Sequence, residues 1–224
     1  MSRCWSCRSE IDAAFFCDKC GKIQPLSKDT DYFIFFGFNA SAVFDSGVLE
    51  KKYYELSRKF HPDFFQAASV EEQNISLENS AFLNRAYKTL KDPFLRANYL
   101  IERYGPDIRN DRKKSIPKDL LMEVMEVHEL LDLSRQEEEP GKRGQPNTEL
   151  TEAKAVMIRK YELCLSDIRS LLKSWDSVER KTEDQNSIIP EQRKILDKMN
   201  TAIAVRQYLE TLLQNIEDVL SEEM

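Results

Sequence analysis

The stretch LEKKYYELSRKFHPDFFQAASVEEQNISLENSAFLNRAYKTL, residues 49–90, contains two runs in which apolar residues recur every three or four positions. Such spacing places the apolar side chains on one face of a helix. Between the two runs stands His61-Pro62-Asp63, and Pro62 ends the first helix because it lacks an N–H group and crowds the residue before it. The sequence therefore predicts a helical hairpin whose loop projects His61 and Asp63.

Composition is that of a soluble globular protein with room for one or two domains. Of the 224 residues, 41% are hydrophobic and 32% are charged, and the net charge is −6. An acidic chain is not expected to be a general nucleic-acid binder. The sequence has no apolar run of membrane-spanning length and begins with neither a signal-peptide core nor an Arg-rich leader. We expect a cytoplasmic, bacterial-type protein, or a mitochondrial matrix protein whose presequence has been removed.

The amino-terminal segment carries two C-x2-C pairs separated by nine residues, at Cys4, Cys7, Cys17 and Cys20. Four thiolates form the tetrahedral ligand set of closed structural zinc sites, and a segment this short cannot fold by burial alone. Disulfides or redox-active pairs are the alternatives, but no secretory signal and no βαβ pattern favours them. We predict a zinc module at residues 1–28. Trp5, Phe15 and Phe16 are expected to cover the metal site or, alternatively, to form a small docking surface.

Capping residues set the expected helix ends around the hairpin. Residues 31–38 fit a short strand or a helix of one or two turns, with Asp29, Thr30 or Asp31 as N-cap and Gly37 as C-cap. Asp45-Ser46 caps the first helix of the hairpin. Residues 64–70 predict an exposed loop, followed by a helix from about residue 71 to 91. Asp92-Pro93 then begins another helix, which ends at Tyr104.

The outward positions of the helix that leads into His61 are basic. They include Lys51, Lys52, Arg58 and Lys59. Residues seven apart stack along one side of a helix, so these four form a positive face on an acidic chain. A solvated face is one interpretation. A docking face for an acidic partner is the other, and the concentration of positive charge beside the loop favours it.

The carboxy-terminal half predicts three helices in an antiparallel bundle. A helix beginning at about Pro117 carries a core stripe at Leu120, Val124, Val127 and Leu131. A second apolar face beside it favours either a docking surface or a helix buried on most sides. Residues 134–151 predict an exposed loop. Two long helices follow, the first with Cys164 on its buried stripe and the second with a possible irregularity near residues 202–206.

Several motifs follow one another in a fixed order along the chain. They are Asp31-Tyr32-Phe33…Gly37, the basic helix, His61-Pro62-Asp63-Phe64, Leu83-Asn84-x-Ala86-Tyr87-x-x-Leu90 and Asp92-Pro93-x-x-Arg96-Ala97-x-Tyr99-Leu100. Together they resemble the J-domain of HscB/Jac-type co-chaperones, the DnaJ-like proteins of iron–sulfur cluster assembly, some of which carry an amino-terminal tetracysteine module. The resemblance covers nearly the whole chain and is weaker beyond about residue 132.

The resemblance implies a mainly α fold and a role for each part. A tetracysteine zinc module at 1–28 precedes a J-domain at 29–104, a linker at 105–116 and a scaffold-binding bundle at 117–224. A DnaK/HscA-type chaperone ATPase would be engaged by His61, Pro62, Asp63, Lys51, Lys52, Arg58 and Lys59. A scaffold protein of the IscU type would contact Leu121, Met122, Met125, Glu126 and Glu129. In the family an aromatic on the final helix adds to the scaffold site, whereas the equivalent stretch here, residues 199–202, has none.

The sequence shows no convincing catalytic set. It has only two histidines, His61 and His128, no Ser or Cys paired with a base and no Gly-rich phosphate loop. We therefore expect an adaptor and not an enzyme, one that stimulates ATP hydrolysis in its partner and delivers the scaffold protein to it. It would bind neither nucleic acid nor membrane. The alternative is a zinc-ribbon nucleic-acid-binding or thiol-redox protein with a helical partner-binding domain.

Overall fold

A computed structural model of the chain describes residues 2–12, 15–38, 41–108, 116–136, 144–178 and 188–221. The chain divides into two compact units, Met1–Leu95 and Arg96–Met224. The mainly α fold class is confirmed. The domain boundaries at residues 28, 104 and 116 stay predictions. In the part of the chain that the structure describes, no helix is both long and apolar enough to cross a membrane.

The first unit begins with a small antiparallel ribbon and continues with helices. Strands β1 and β2 pair Ser2 with Ile11 and Arg3 with Glu10. The elements are β1 (Ser2–Arg3), β2 (Glu10–Ile11), α1 (Tyr32–Phe35), α2 (Ser46–Phe60), a 3₁₀ turn (Pro62–Phe65), α3 (Val70–Lys91) and α4 (Pro93–Tyr104). Helix α4 begins in the first unit and continues into the second.

The structure contains the hydrogen bonds of the predicted N-caps. Asp31 accepts a hydrogen bond from the Ile34 amide at 3.0 Å, which makes the aromatic segment a helix and not a strand. Asp45 caps α2 through the Val48 amide, also at 3.0 Å. Asp92 accepts from two amides at the start of α4, at 2.8 and 2.9 Å. Each cap satisfies amides that have no partner inside the first turn of a helix.

The prediction of a plain loop at 64–70 is wrong in part. Pro62–Phe65 forms a 3₁₀ turn, and α3 begins one residue earlier than expected, at Val70. Ser69 and Glu72 form a capping box, in which each side chain bonds to the other residue's backbone amide. Local hydrogen bonds therefore order both ends of this segment.

The core of the first unit is largely aromatic. Phe33, Phe36 and Phe60 are fully buried and are joined by Leu49 and Leu83. The apolar stripes of α2 and α3 face each other, as their spacing predicts. The half-buried Tyr53 is the outermost member of its stripe, and its ring stacks on that of Tyr87 at 4.1 Å.

Three long helices make the bundle of the second unit. They are α5 (Lys118–Gln136), α6 (Gly144–Ser177) and α7 (Pro190–Ser221). The predicted α5 stripe is buried in their common core, which consists of Leu120, Val124, Val127, Leu131, Leu150, Met157, Leu209, Leu212, Ile216 and Val219. The core therefore uses one face of α5.

Two predictions for this unit are wrong. Residues 134–136 and 144–151, expected to lie in a loop, are helical, because α5 continues to Gln136 and α6 already begins at Gly144. Only residues 137–143 of that expected loop lie outside the described residues. Helix α7 runs without interruption through 202–206, where Ile203 and Ala204 are buried. Residues 109–115 of the predicted linker also lie outside the described residues.

Candidate functional site

The amino-terminal cysteines lie close enough to share one metal ion. The Sγ atoms of Cys4, Cys7, Cys17 and Cys20 all lie within 4.8 Å of one another. Two of the sulfur–sulfur distances are 3.7 Å, between Cys4 and Cys20, and 3.6 Å, between Cys7 and Cys17. A disulfide needs about 2.05 Å, whereas tetrahedral ligands about 2.3 Å from zinc are about 3.8 Å apart. The geometry fits a tetrahedral metal site and not a pair of disulfides.

The two C-x2-C segments fold alike. The Cys4 amide donates to the Ser9 carbonyl at 2.9 Å, and the Cys17 amide donates to the Lys22 carbonyl at 2.9 Å. In each segment, the residue just after the second cysteine has a positive φ, +60° at Arg8 and +71° at Gly21. This repeated turn points both sulfurs of each segment to the same side.

The thiols of the cluster cannot all ionise at neutral pH without a cation. The Lys22 backbone amide lowers the pKa of Cys20, but lost hydration and the neighbouring thiols of Cys7, Cys17 and Cys4 outweigh it and raise that pKa to about 12. Like charges held this close oppose each other's ionisation. A divalent cation removes the conflict, because it binds the thiolates and displaces their protons.

The three aromatics expected over the metal site have different positions. Trp5 donates its indole N–H to the Ile23 carbonyl at 2.7 Å, which places it within the module. Phe16 pairs with Ile23 in an isolated β-bridge. The Phe15 ring instead packs edge-on against Phe60 of α2, with ring centroids 5.3 Å apart. Phe15 therefore joins the cysteine module, residues 1–28, to the helices.

The HPD loop, residues 61–69, starts with a local hydrogen-bonded turn. The Asp63 amide donates to His61 Nδ1 at 3.3 Å, and the Phe64 amide donates to the His61 carbonyl at 3.0 Å. The Asp63 carboxylate also lies 3.5 Å from Nδ1. The side chains of His61, Asp63 and Phe64 are exposed, with 73% exposure for Phe64. The turn orients three side chains that solvent can reach.

Two serines of α3 hold the start of this loop, and neither was predicted from the sequence. Ser76 and Ser80 donate their hydroxyl groups to the carbonyl of Phe60, at 2.7 and 2.8 Å. That carbonyl belongs to the last turn of α2, where no amide of the helix can reach it. The two bonds connect α3 to the residue just before His61. Serines four apart on one helix face are the only signal of this role in the sequence.

The basic face of α2 is divided between exposed and engaged side chains. Lys51, Arg58 and Lys59 are exposed. Lys52 is half-buried, donates to the carbonyl of Phe36 at the end of α1 and lies over the Phe38 ring, 4.8 Å from its centroid. Lys52 thus provides a hydrogen-bond donor for the Phe36 carbonyl at the end of α1, in addition to carrying positive charge.

The second face of α5 is open to solvent. Leu121, Met122 and Met125 are 36%, 67% and 64% exposed. Glu126 and Glu129 are exposed beside them. These are the five residues expected to contact a scaffold protein, and α5 brings them to one side of the helix because their spacing is helical. Of the two interpretations that the sequence left open, burial of α5 on most sides is wrong.

The final helix places an aromatic next to this face, and this aromatic was not predicted from the sequence either. A groove of about 430 Å³ between α5 and α7 is lined by His128 and Tyr208, among others. Tyr208 is 39% exposed, and it follows residues 199–202, where no aromatic was found, by two helical turns. Its proximity to His128 depends on how α5 and α7 pack and has no local sequence signal.

The fifth cysteine is a core residue, as its place on the α6 stripe predicts. Cys164 is 6% exposed, and its thiol donates to the Ala202 carbonyl at 3.1 Å. Burial raises its pKa to about 11. The thiol is therefore un-ionised at neutral pH, which is the unreactive form.

Comparison of the sequence with known proteins finds relatives that are named HscB co-chaperones. The chain is 35% identical over 133 residues to the mouse (Mus musculus) iron–sulfur cluster co-chaperone protein HscB, an alignment that covers 58% of this chain and 57% of the mouse protein. It is 34% identical over 127 residues to the co-chaperone protein HscB homolog of Bordetella avium (strain 197N), covering 57% of this chain and 74% of that protein. No protein-family model matches the chain.

Comparison of the fold with solved structures also finds an HscB co-chaperone. The crystal structure of human co-chaperone protein HscB aligns with 96% of this chain and 97% of its own, at a TM-score of 0.59 and 26% identity. In sequence, however, the chain spans only a little over half the length of the mouse relative.

Proposed function

The chain belongs to the HscB family of co-chaperones, and from this premise we propose that it stimulates the ATPase of a DnaK/HscA-type chaperone and delivers to it an iron–sulfur scaffold protein of the IscU type. The observation that carries the proposal is the HPD loop, held on a helical hairpin with its polar side chains exposed. One chain with an interface for each partner raises the effective concentration of the client at the ATPase.

The chaperone would be engaged by the HPD loop together with the exposed cations of α2. His61 and Asp63 are oriented by the turn that they close with their own backbone. Lys51, Arg58 and Lys59 supply positive charge beside them for an acidic partner surface. Lys52 contributes to this field while its ammonium group holds the end of α1.

The scaffold protein would be bound by the open face of α5. Its apolar centre is Leu121, Met122 and Met125, flanked by acidic side chains. Methionine adapts its shape to a partner, and a central apolar cluster with a polar rim is the usual anatomy of such interfaces. We include Tyr208 in this site, because its groove adjoins α5 and tyrosine is enriched among residues that dominate binding energy.

The cysteine module would hold a structural zinc ion through Cys4, Cys7, Cys17 and Cys20. When bound, the ion supplies the folding free energy that so short a segment lacks. Gln24 supports the ligand set, since its side-chain amide donates to Cys4 Sγ at 3.4 Å from a buried position.

The replacement His61→Gln tests the chaperone half of the proposal. The side chain is exposed, so helicity and thermal stability should be unchanged, whereas stimulation of a DnaK-type ATPase in a single-turnover assay should fall to the unstimulated rate. Affinity for an IscU-type scaffold is the internal control and should be retained. Stimulation by a folded His61→Gln protein would refute the assignment.

A further inference from the structure

We propose that the cysteine module positions the HPD loop by holding both of its ends, with Phe15 and Lys22 as the positioning residues. The importance of this for chaperone stimulation rests on the proposed function, but the order of the loop can be measured without it. The inference is drawn from three separate connections between the module and the chain around residues 60–73.

The first connection reaches the start of the loop. Phe60 is the last residue of α2 and is fully buried. The Phe15 ring meets it edge-to-face with centroids 5.3 Å apart and also meets Phe35 at 5.6 Å. Edge-to-face aromatic pairs at this separation are favourable beyond their burial. A residue from the module therefore packs against the side chain that immediately precedes His61.

The second connection reaches the end of the loop. Lys22 Nζ lies 3.0 Å from Glu72 Oε2, in a pair whose side chains are 34% and 15% exposed. The same carboxylate accepts the Ser69 hydroxyl at 2.8 Å within the capping box of α3. The hydrogen bond from Ser69 and then the Lys22 ion pair lower the pKa of Glu72 and keep it ionised. Lys22 thus orients the Glu72 carboxylate, which caps α3 at the point where the loop ends.

The third connection runs through α3. Asn79, only 1% exposed, donates to the Gln24 carbonyl at 2.9 Å and accepts from the Leu26 amide at 3.1 Å. It lies between Ser76 and Ser80, which hold the carbonyl of Phe60. Because Gln24 also donates to Cys4 Sγ, hydrogen bonds and one helix turn link a metal-ligating sulfur to the residue before His61.

These connections have a common physical effect. The loop presents exposed side chains and has no burial of its own around His61, Asp63 and Phe64. Its order therefore depends on anchoring at the two ends, which reduces the number of conformations the backbone can adopt. Since a metal ion supplies the folding energy of the module, loss of the ion would loosen both anchors at once.

The test is hydrogen exchange of the backbone amides at residues 63–73 in the full-length, zinc-loaded protein. Lys22→Met keeps an aliphatic side chain but removes the ammonium group, which also lies 5.3 Å from the centroid of the Trp5 ring. It should increase exchange by about five-fold, as expected for loss of a partly buried ion pair. Lys22→Arg should restore protection. Lys28→Met, at an exposed lysine of the same module, is the matched control and should change nothing.

Zinc affinity and ATPase stimulation complete the experiment. Zinc affinity should be equal in all four proteins, which shows that the module is intact. The chaperone concentration for half-maximal stimulation should rise in Lys22→Met by at most about five-fold, while the maximal ATPase rate stays unchanged. The substitution lowers only the fraction of molecules whose loop is in the conformation that binds the chaperone.

Two outcomes overturn the inference. One is unchanged exchange at residues 63–73 in zinc-loaded Lys22→Met. The other is unchanged exchange there after a chelator has removed zinc from the wild-type protein. If the wild type fails to stimulate any DnaK-type ATPase, the proposed function fails instead, while the exchange measurements still decide whether the module positions the loop.

Discussion

Arg8 and Gly21 occupy equivalent positions in the two C-x2-C turns, yet only one of them is a glycine. Both have a positive φ, a conformation that crowds the Cβ of an L-residue and costs roughly 1–2 kcal/mol. A Cβ added at Gly21 would meet nothing within 4 Å. A larger residue in place of Gly21 would therefore be destabilising through backbone strain alone and not through a steric clash of its side chain.

Gly21→Ala should weaken zinc binding by about five- to ten-fold, because about 1 kcal/mol of backbone strain is added to a module whose folding and metal binding are one process. Competition with a chromophoric chelator measures the affinity. Gly21→Asn is the matched control, since Asn tolerates positive φ, and it should lose less. Equal affinities for all three proteins would show that metal binding does not require this conformation.

At the scale of single elements, α5 has one face in the bundle core and one face open to solvent. Leu120, Val124 and Val127 bury one face in the bundle core, while Met122 and Met125 remain exposed on the other. A helix period of 3.6 residues separates the two sets by rotation alone. The buried stripe and the exposed stripe can therefore change independently.

The double substitution Leu121→Ala, Met125→Ala should weaken scaffold binding by about ten-fold or more, as truncation of central interface residues does. Far-UV circular dichroism should be unchanged, because both side chains are outside the bundle core. Leu77→Ala on α3 is the control, since Leu77 is 55% exposed and belongs to the first unit. Calorimetry with an IscU-type scaffold measures the three affinities, and wild-type affinity in the double variant would move the site elsewhere.

At the scale of the whole molecule, the cysteine module and the carboxy-terminal bundle differ in what stabilises them. The second unit is stabilised by apolar burial along α5, α6 and α7. In the module, Cys4, Ile11 and Cys17 form a small buried cluster, and Ile23 is also buried. Burial of so small a cluster cannot offset the conformational entropy of ordering the segment. We therefore expect the folding of the module to depend on a bound metal ion and that of the bundle to be independent of it.

Chelation of zinc at pH 7 should unfold residues 2–24 and leave the helices of residues 118–221 protected. Zinc at a thousand times its dissociation constant stabilises a folded site by about 4 kcal/mol, and that contribution disappears with the metal. Lowering the pH should act in the same direction, because protons compete for the thiolates. Hydrogen exchange resolves the segments. Cooperative loss of protection in the bundle upon chelation would contradict this division.

The sequence by itself determined the features that depend on neighbouring residues. These features include the helix starts at Asp45 and Asp92, the buried stripe of α5 and the close spacing of the cysteines. They were predictable because caps, periodicity and chelation act over a few positions. At residues 31–38 the sequence left a strand and a short helix open, and the structure has the helix. The HscB resemblance rests on the same short motifs. Where local signals conflicted, as at residues 144–151, the loop-forming composition was outweighed by continuation of a packed helix.

Only the tertiary structure decided which distant groups meet. Apolar spacing shows that Phe15 and Tyr208 belong to some surface, but not that one packs on Phe60 and the other borders a groove with His128. Polar side chains carry still less information, since Lys22, far from Glu72 along the chain, could bond to water equally well in another fold. Such pairs are set by packing, and these long-range pairs connect the cysteine module to the HPD loop.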